Sequence, residues 1–256
     1  MERTEIIDFL KSRPAFEPEK PMGIVEEHSY SIISKPSFVA IAIDGGDFEE
    51  ISKTEFMDTE QLCNDTQYYM NEQDFDSAME CIECALAVDG PQAEENKNWK
   101  VYYLAGIVAL KQQIYDASVN LINRSLQLGC PENRKCYDVM AISSSILGRT
   151  NDAFNYYKLA IEQTPDDPEV WHNIGGFYWD NELFGDAVYS YTKALEKNIE
   201  YTPTYEELMN LSSELKNDDL SHEYAMAVNS GTIIGKDVLE KTKEWLSGLE
   251  LENEGN

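Results

Sequence analysis

Residues 168–197 read PEVWHNIGGFYWDNELFGDAVYSYTKALEK and contain two stretches of helical periodicity separated by a short polar turn. Small residues stand at fixed places among larger apolar ones in both stretches, which lets two facing helices approach each other closely. In order along the chain, the small and the larger apolar residues of this pattern are Trp171, Ile174, Gly175, Tyr178, Ala187, Tyr191 and Ala194. The segment therefore predicts a pair of antiparallel helices with a tight contact between them.

The second half of this segment recurs in varied form along the chain, as FDSAMECIECALAVD, YDASVNLINRSLQLG, TNDAFNYYKLAIEQTP and FGDAVYSYTKALEKN. One small residue marks the register of five successive copies: Ala78, Ser118, Ala153, Ala187 and Ser221. The steps between them are 40, 35, 34 and 34 residues. A period of 34 residues with early insertions indicates a helical repeat array.

These residues resemble the tetratricopeptide repeat, in which small residues at repeat positions 8, 20 and 27 lie between larger apolar ones. The resemblance covers about residues 59–250 and implies an all-α fold, a right-handed α-solenoid of about five helix-turn-helix repeats. The first copy departs from the pattern at Asp65 and Thr66, and the last at Met209 and Ser212. Terminal repeats are often atypical because only one neighbour covers them.

After the last copy, GKDVLEKTKEWLSGL places an apolar stripe on one helical face and predicts a capping helix at the end of the 59–250 solenoid. The stripe consists of Val238, Leu239, Thr242, Trp245 and Leu246. The remaining residues, 251–256, are predicted to form a disordered tail.

Residues 1–58 do not follow the repeat and are predicted to form an N-terminal extension. EIIDFLKS reads as a short helix, while YSIIS and FVAIAID read as two strands of a hairpin, with Val39, Ile41 and Ile43 on its apolar face. Because a lone hairpin is marginal in water, it must lean on other structure. Two arrangements stay open: a cap on the first repeat, or an arm that occupies the binding groove until a partner displaces it.

The composition limits the partners. With 48 acidic against 20 basic side chains the formal net charge is −28, so nucleic acid and anionic membrane surfaces should be repelled. No apolar run reaches membrane-spanning length and the first residues lack a secretory layout, so no membrane insertion and a cytoplasmic location are expected. Five cysteines, an odd set, suit reduced thiols.

No catalytic, metal or cofactor site is expected, and the protein is not predicted to be an enzyme. Cys81 and Cys84 form a CxxC, but they lie inside a predicted helix without the second ligand pair of a zinc site. The three histidines are far apart, and no nucleophile motif surrounds any serine or cysteine.

The resemblance implies that the first helix of each repeat lines a concave face, with repeat positions 2, 5, 9, 12 and 13 projecting into it. The candidate partner-binding residues at these positions are Tyr103, Ile107, Leu110, Lys111, Asp138, Ile142, His172, Trp179, Asp180, Glu206 and Asn210. The middle of this face is apolar and aromatic and its C-terminal end is acidic. It suits an extended peptide with hydrophobic anchors followed by Lys or Arg.

Some relatives of this family clamp the acidic tails of chaperones with Lys at position 5 and Asn at position 9. Here position 5 of the third and fourth repeats holds Asp138 and His172, so binding of acidic tails is not expected. The predicted function is a protein-protein interaction scaffold or adaptor. The alternative is a dedicated chaperone for a secreted or assembling partner.

Overall fold

The computed structural model describes residues 3–11, 22–25, 28–43, 45–88, 98–230 and 236–254. The chain divides into two compact units, Met1–Pro131 and Glu132–Asn256. The described residues contain the five predicted helix pairs, two in the first unit and three in the second. The all-α repeat fold is therefore confirmed, together with a small N-terminal β-structure.

The N-terminal part of the first unit is an antiparallel meander of four strands in the order β1-β2-β3-β4, preceded by helix α1. These elements are α1 (Arg3–Lys11), β1 (Met22–Val25), β2 (His28–Ser34), β3 (Phe38–Ile43) and β4 (Glu49–Ser52). The predicted hairpin is β2–β3, in which Ser34 pairs with Val39 across the turn. The short outer strands were not predicted, because four residues are too few to show an alternating pattern.

One face of this sheet packs on α1. Ile6 and Leu10 of the helix form a small core with Ile32, Val39 and Ile41, and all five side chains are buried. Two of the three residues predicted for the apolar face, Val39 and Ile41, are thus covered by the chain itself. The side chain of the third, Ile43, lies outside the described residues.

A buried ion pair joins the N-terminal part to the first helix pair. Lys53 lies in a short 3-10 helix after β4, and its Nζ is 2.5 Å from Oδ2 of Asp65, with side-chain exposures of 1% and 22%. Nearby, the Cys81 thiol donates to the carbonyl oxygen of Pro36 at 3.4 Å. The acidic departure of the first repeat at Asp65 is therefore the counter-ion of a lysine from the N-terminal segment.

The first unit continues with two antiparallel helix pairs, α2 (Thr59–Asn71) with α3 (Phe75–Val88) and α4 (Trp99–Lys111) with α5 (Tyr115–Gln127). Their shared core includes Leu62, Ile82 and Leu104. The polar segment at residues 91–100, which accounts for the 40-residue step between the first two repeats, lies largely outside the described residues.

The second unit contains three helix pairs and one further helix. The pairs are α6 (Asn133–Ile146) with α7 (Thr150–Gln163), α8 (Pro168–Asp180) with α9 (Phe184–Lys197), and α10 (Thr202–Glu214) with α11 (Asp218–Ser230). Helix α12 (Lys236–Glu254) packs on α9 and α11, burying Val238 and Thr242, as expected of the capping helix. The predicted tail at 251–256 overlaps the end of this helix, and residues 255 and 256 lie outside the described residues.

Close contacts between the helices of a pair depend on two glycines. A Cβ on Gly106 would lie 2.5 Å from side-chain atoms of Ile122, and one on Gly175 would lie 2.6 Å from the Tyr191 ring. Both distances are far below van der Waals contact. The small-residue pattern of the sequence is therefore a packing requirement, as predicted.

Each of the five turns within a pair contains one residue in the left-handed region. These residues are Gln73, Gln113, Gly148, Glu182 and Lys216, with φ between 60° and 71°. The next residue in each case donates its N–H to a carbonyl five residues earlier, the bond pattern of a Schellman cap. Glycine suits this conformation, and four of the five turns hold a side chain there instead.

We expect Gly148→Ala to lower the free energy of unfolding by about 1 kcal/mol, because only backbone strain changes where no atom lies within 4 Å of the added Cβ. Glu182→Gly should raise the free energy of unfolding or leave it unchanged. Gly248→Ala, in the middle of α12, is the matched control and should stabilise by about 0.5 kcal/mol. Urea denaturation followed by circular dichroism measures all three, and equal effects at positions 148 and 248 would contradict the strain argument.

Lys53→Met should destabilise the chain by about 2 to 3 kcal/mol, because it leaves the half-buried Asp65 carboxylate without its cation. Adding Asp65→Leu should recover most of that loss. Lys100→Met is the control, since its partner Glu60 is 63% exposed and such pairs contribute less than about 1 kcal/mol. Denaturation midpoints of the wild type and the three variants test this, and a double variant as unstable as Lys53→Met would show that the charge pair is not the cause.

Candidate functional site

In the first unit, the first helices of the two pairs, α2 and α4, lie side by side. The four candidate residues here are all on α4: Tyr103, Ile107 and Leu110 are half-buried, and Lys111 is exposed. Tyr103 packs against the core and meets Trp99 edge-on, with ring centroids 6.3 Å apart. The three half-buried candidates of this unit are therefore aromatic or aliphatic, and their role in binding stays a prediction.

In the second unit, the first helices α6, α8 and α10 lie side by side and form a surface that we call the α6-α8-α10 face. The seven remaining candidates lie on these helices. Ile142, His172 and Trp179 are half-buried, Asp180, Glu206 and Asn210 are exposed, and Asp138 is buried. The structure therefore distributes the eleven candidates over two surfaces, and the role of each in binding stays a prediction.

A single guanidinium gathers three carboxylates on the α6-α8-α10 face. Arg134 donates to Asp138 Oδ2 at 2.7 Å, to Asp167 Oδ2 at 2.5 Å and to Glu169 Oε2. Burial opposes the charge of Arg134, but the hydrogen bonds to Asp167 and Glu169 raise its pKa above the ordinary value. The cluster carries an excess of two negative charges when all four groups are ionised.

Asp138 is the most deeply buried acid of this cluster, at 6% exposure. Its Oδ1 is buried and has no hydrogen-bond partner among the described residues. Burial, with smaller contributions from Glu169 and Asp167, raises the pKa of Asp138 to about 6 against the opposing effect of Arg134. The described neighbours thus leave one acceptor of this carboxylate unsatisfied.

A second unsatisfied group lies beneath α8. The Tyr191 side chain is fully buried and its hydroxyl has no partner among the described residues. A Cβ at Gly176, a predicted face position, would lie 3.7 Å from that hydroxyl, in ordinary contact. A side chain at position 176 would therefore fit over the buried phenol without a clash.

His172 is held by its neighbours rather than exposed as a base. Its Nδ1 lies 3.2 Å from Thr204 Oγ1, and its ring centroid lies 5.6 Å from that of Tyr201. Burial lowers the pKa of His172 below the ordinary value, so the imidazole is neutral at physiological pH. In this setting the neutral imidazole ring offers a flat surface for contact, with a polar nitrogen at its edge.

Trp179 lies beside further acidic groups. Its Nε1 donates to Glu214 Oε2 at 2.8 Å, which leaves the indole faces for apolar contact. Burial first, and then Glu206 and Asp180, raise the pKa of Glu207. Within the described chain, no Lys or Arg pairs with Asp180, Glu206 or Glu207.

The CxxC pair is not a reactive site in this structure. Cys81 and Cys84 are buried and free, and burial raises the pKa of Cys81 to about 12 and that of Cys84 in the same direction. Both are therefore protonated thiols at neutral pH. Among the described residues, no group of three or more His, Cys, Asp or Glu is arranged to hold a metal ion.

Sequence reasoning identified Asp138 but missed its cluster. Arg134 precedes the repeat positions that were read as the face, and Asp167 caps α8 by accepting from the N–H of Glu169 at 3.0 Å. Four residues separate Arg134 from Asp138, the spacing of an ion pair on one helix face, and this was the available signal. The contacts with Asp167 and Glu169 come from the next helix pair and have no local signature.

Within the described part of the chain, no helix is long and apolar enough to cross a membrane.

Comparison with known proteins shows the fold. No family model matches the chain. MamA of Desulfovibrio magneticus RS-1 superposes with a TM-score of 0.54 at 14% identity, over 67% of this chain and 93% of that one. PilF of Pseudomonas aeruginosa superposes with a TM-score of 0.54 at 14% identity, over 73% and 82%. Both have the tetratricopeptide-repeat fold predicted from the sequence.

Part of the chain is similar in sequence to the human protein O-mannosyl-transferase TMTC1. It is 25% identical over 107 residues, which cover 41% of this chain and 12% of that protein. The match therefore concerns a short part of a much longer chain.

The raised pKa of Asp138 predicts a pH-dependent stability. A folded-state pKa of about 6, above the ordinary 3.8, means that the folded protein takes up a proton as the pH falls from about 6 to 4. Asp138 therefore adds stability below that window, and this stability is lost as the pH rises through 6. Relative to Asp138→Asn, the wild type should gain on the order of 2 kcal/mol between pH 7.5 and pH 4.5. Urea denaturation of both proteins at the two pH values tests this, and a constant difference would contradict it.

Proposed function

We propose that this chain, whose fold is that of tetratricopeptide-repeat proteins, acts as an adaptor or scaffold that binds an extended segment of another protein. The observation that carries the proposal is the α6-α8-α10 face, where half-buried apolar and aromatic side chains lie among carboxylates that outnumber their cations. Such a surface offers apolar side chains that a partner can cover and remove from water. It also offers negative charges that cationic side chains of a partner can neutralise.

Trp179 and Ile142 are the proposed hydrophobic anchor points. Both are half-buried, so an apolar side chain of a partner would complete their removal from water. Aromatic residues in such settings usually dominate the binding energy. In the first unit, Tyr103 and Ile107 offer a comparable surface for the same kind of contact.

The proposed partner is basic. Asp180, Glu206 and Glu207 have no cation among the described residues, and the Arg134 cluster retains excess negative charge. A Lys or Arg side chain laid across these groups would gain Coulomb energy that is screened over about 8 to 10 Å at physiological salt. The acidic chaperone tails bound by some relatives of the fold would be repelled.

We place the binding event in the cytoplasm and assign no catalytic step to this chain. The five cysteines are buried thiols that form no disulfide, which suits a reducing compartment. Binding alone accounts for the side chains on the α6-α8-α10 face.

Selection of a random dodecapeptide display library on the full chain tests the proposal. We expect enriched peptides with two or more apolar positions at fixed spacing. Trp179→Ala should then weaken a synthetic consensus peptide by about thirtyfold, corresponding to about 2 kcal/mol, with unchanged helicity. Tyr189→Ala is the matched control, since Tyr189 is an exposed aromatic on α9 outside this face.

Two negative outcomes would bear on different parts of the proposal. Failure to enrich any peptide would contradict binding of an extended segment. Equal affinities of Trp179→Ala and wild type would remove Trp179 from the binding surface while leaving the peptide-binding function in place.

A further inference from the structure

The unsatisfied oxygen of Asp138 requires a hydrogen-bond donor. An ionised carboxylate oxygen only accepts hydrogen bonds, and burying one without a partner destabilises the folded chain. Asp138 Oδ2 is already satisfied by Arg134, whereas Oδ1 has no partner among the described residues. A folded chain seldom keeps such a group without use.

Arg134 does not supply the missing donor because its bonds are directed elsewhere. Its Nε and Nη2 are engaged by Asp167, Nη2 also reaches Glu169, and Nη1 binds the other oxygen of Asp138. One guanidinium thus serves three carboxylates. A second cation would lower the electrostatic energy of the cluster, whereas an anion would raise it.

The surroundings of the cluster also suit a cation. Tyr201 is the N-cap residue just before α10 and lies close enough that Glu169 and Asp167 add to the effect of burial in raising the pKa of its phenol. Its half-buried ring offers a face on which an aliphatic stem or a guanidinium plane can rest. The Asp138 side chain keeps 8% exposure, and the torsion that turns its two oxygens is broad, so the carboxylate can rotate to meet a donor that approaches from the surface.

We propose that the carboxylate of Asp138, with Asp167, Glu169 and the ring of Tyr201, forms a specific seat for one Lys or Arg side chain of the bound segment. This inference rests on the proposed function and specifies it: one position of the partner is basic, at a fixed distance from its apolar anchors. Arg134 is a positioning residue, since it holds the three carboxylates together without contacting the partner in this arrangement.

The same dodecapeptide selection tests the seat when it is run in parallel on wild type, Asp138→Asn and Asp167→Asn. We expect wild type to enrich Lys or Arg at one fixed position relative to the apolar anchors. Both variants should lose that enrichment and keep the apolar positions. Asn at position 167 keeps a side-chain oxygen that can cap α8, so Asp167→Asn is expected to fold. It therefore tests the seat even if Asp138→Asn does not fold. Asp152→Asn, an exposed acid on α7, is the matched control for charge.

A double-mutant cycle on the consensus peptide gives the quantitative test. If the basic residue of the peptide is Arg, it is replaced by the neutral citrulline, and if it is Lys, by norleucine. The replacement should weaken binding to wild type about tenfold or more, and binding to Asp138→Asn less than about threefold. Affinity of the basic peptide for wild type should also fall as the pH drops from 7.5 to 5, because Asp138, beside Arg134, Asp167, Glu169, Tyr157 and Tyr201, takes up a proton in that range.

The results that overturn the seat differ from those that overturn the binding function. Apolar consensus peptides without a fixed basic position would refute the seat alone, as would equal citrulline or norleucine effects on wild type and Asp138→Asn. A basic position that persists in both variants would place the cation at other acids of the face and would also refute it. The absence of any enriched peptide would refute the proposed function and this inference together.

Discussion

The close approach of the two helices in each pair is the constraint on which the rest of the structure depends. Where Gly175 faces Tyr191 and Gly106 faces Ile122, a single Cβ would overlap the partner side chain. This approach aligns successive first helices so that their side chains share one surface. The α6-α8-α10 face exists because small residues lie behind it, between the helices of each pair.

Local regularity explains how much the sequence predicted. The five pairs, the hairpin β2–β3 and the helix α12 each have a periodic pattern, and each is present. Strands β1 and β4 were missed because four residues carry little pattern, and their pairing depends on neighbours along the sheet. Likewise, Asp65 departs from the pattern of the first repeat because it pairs with Lys53, twelve residues earlier, and this partner lies outside the repeat.

For the candidate site as well, the sequence predicted the features that depend on local pattern and missed those that depend on distant contacts. Repeat register alone assigned Asp138, His172 and Trp179 to the first helices, since register depends only on the 34-residue period. It gave no information on burial, so the sequence treated Asp138 as an exposed acid, whereas it is 6% exposed and held by Arg134. Hydrogen bonds between consecutive pairs, such as those from Arg134 to Asp167 and Glu169, depend on three-dimensional spacing that one sequence does not reveal.

The N-terminal sheet and α12 have a consequence for self-association. Repeat arrays expose an apolar side at each terminal repeat, and an uncovered one invites another copy to continue the stack. Here Lys53 and its sheet lie on the first helix pair of one unit, and α12 covers the last pair of the other. A second molecule would have to displace a buried ion pair or a packed helix to extend the array. Stacking of a second copy on the first helix pair of one unit, or on the last helix pair of the other, is thereby opposed.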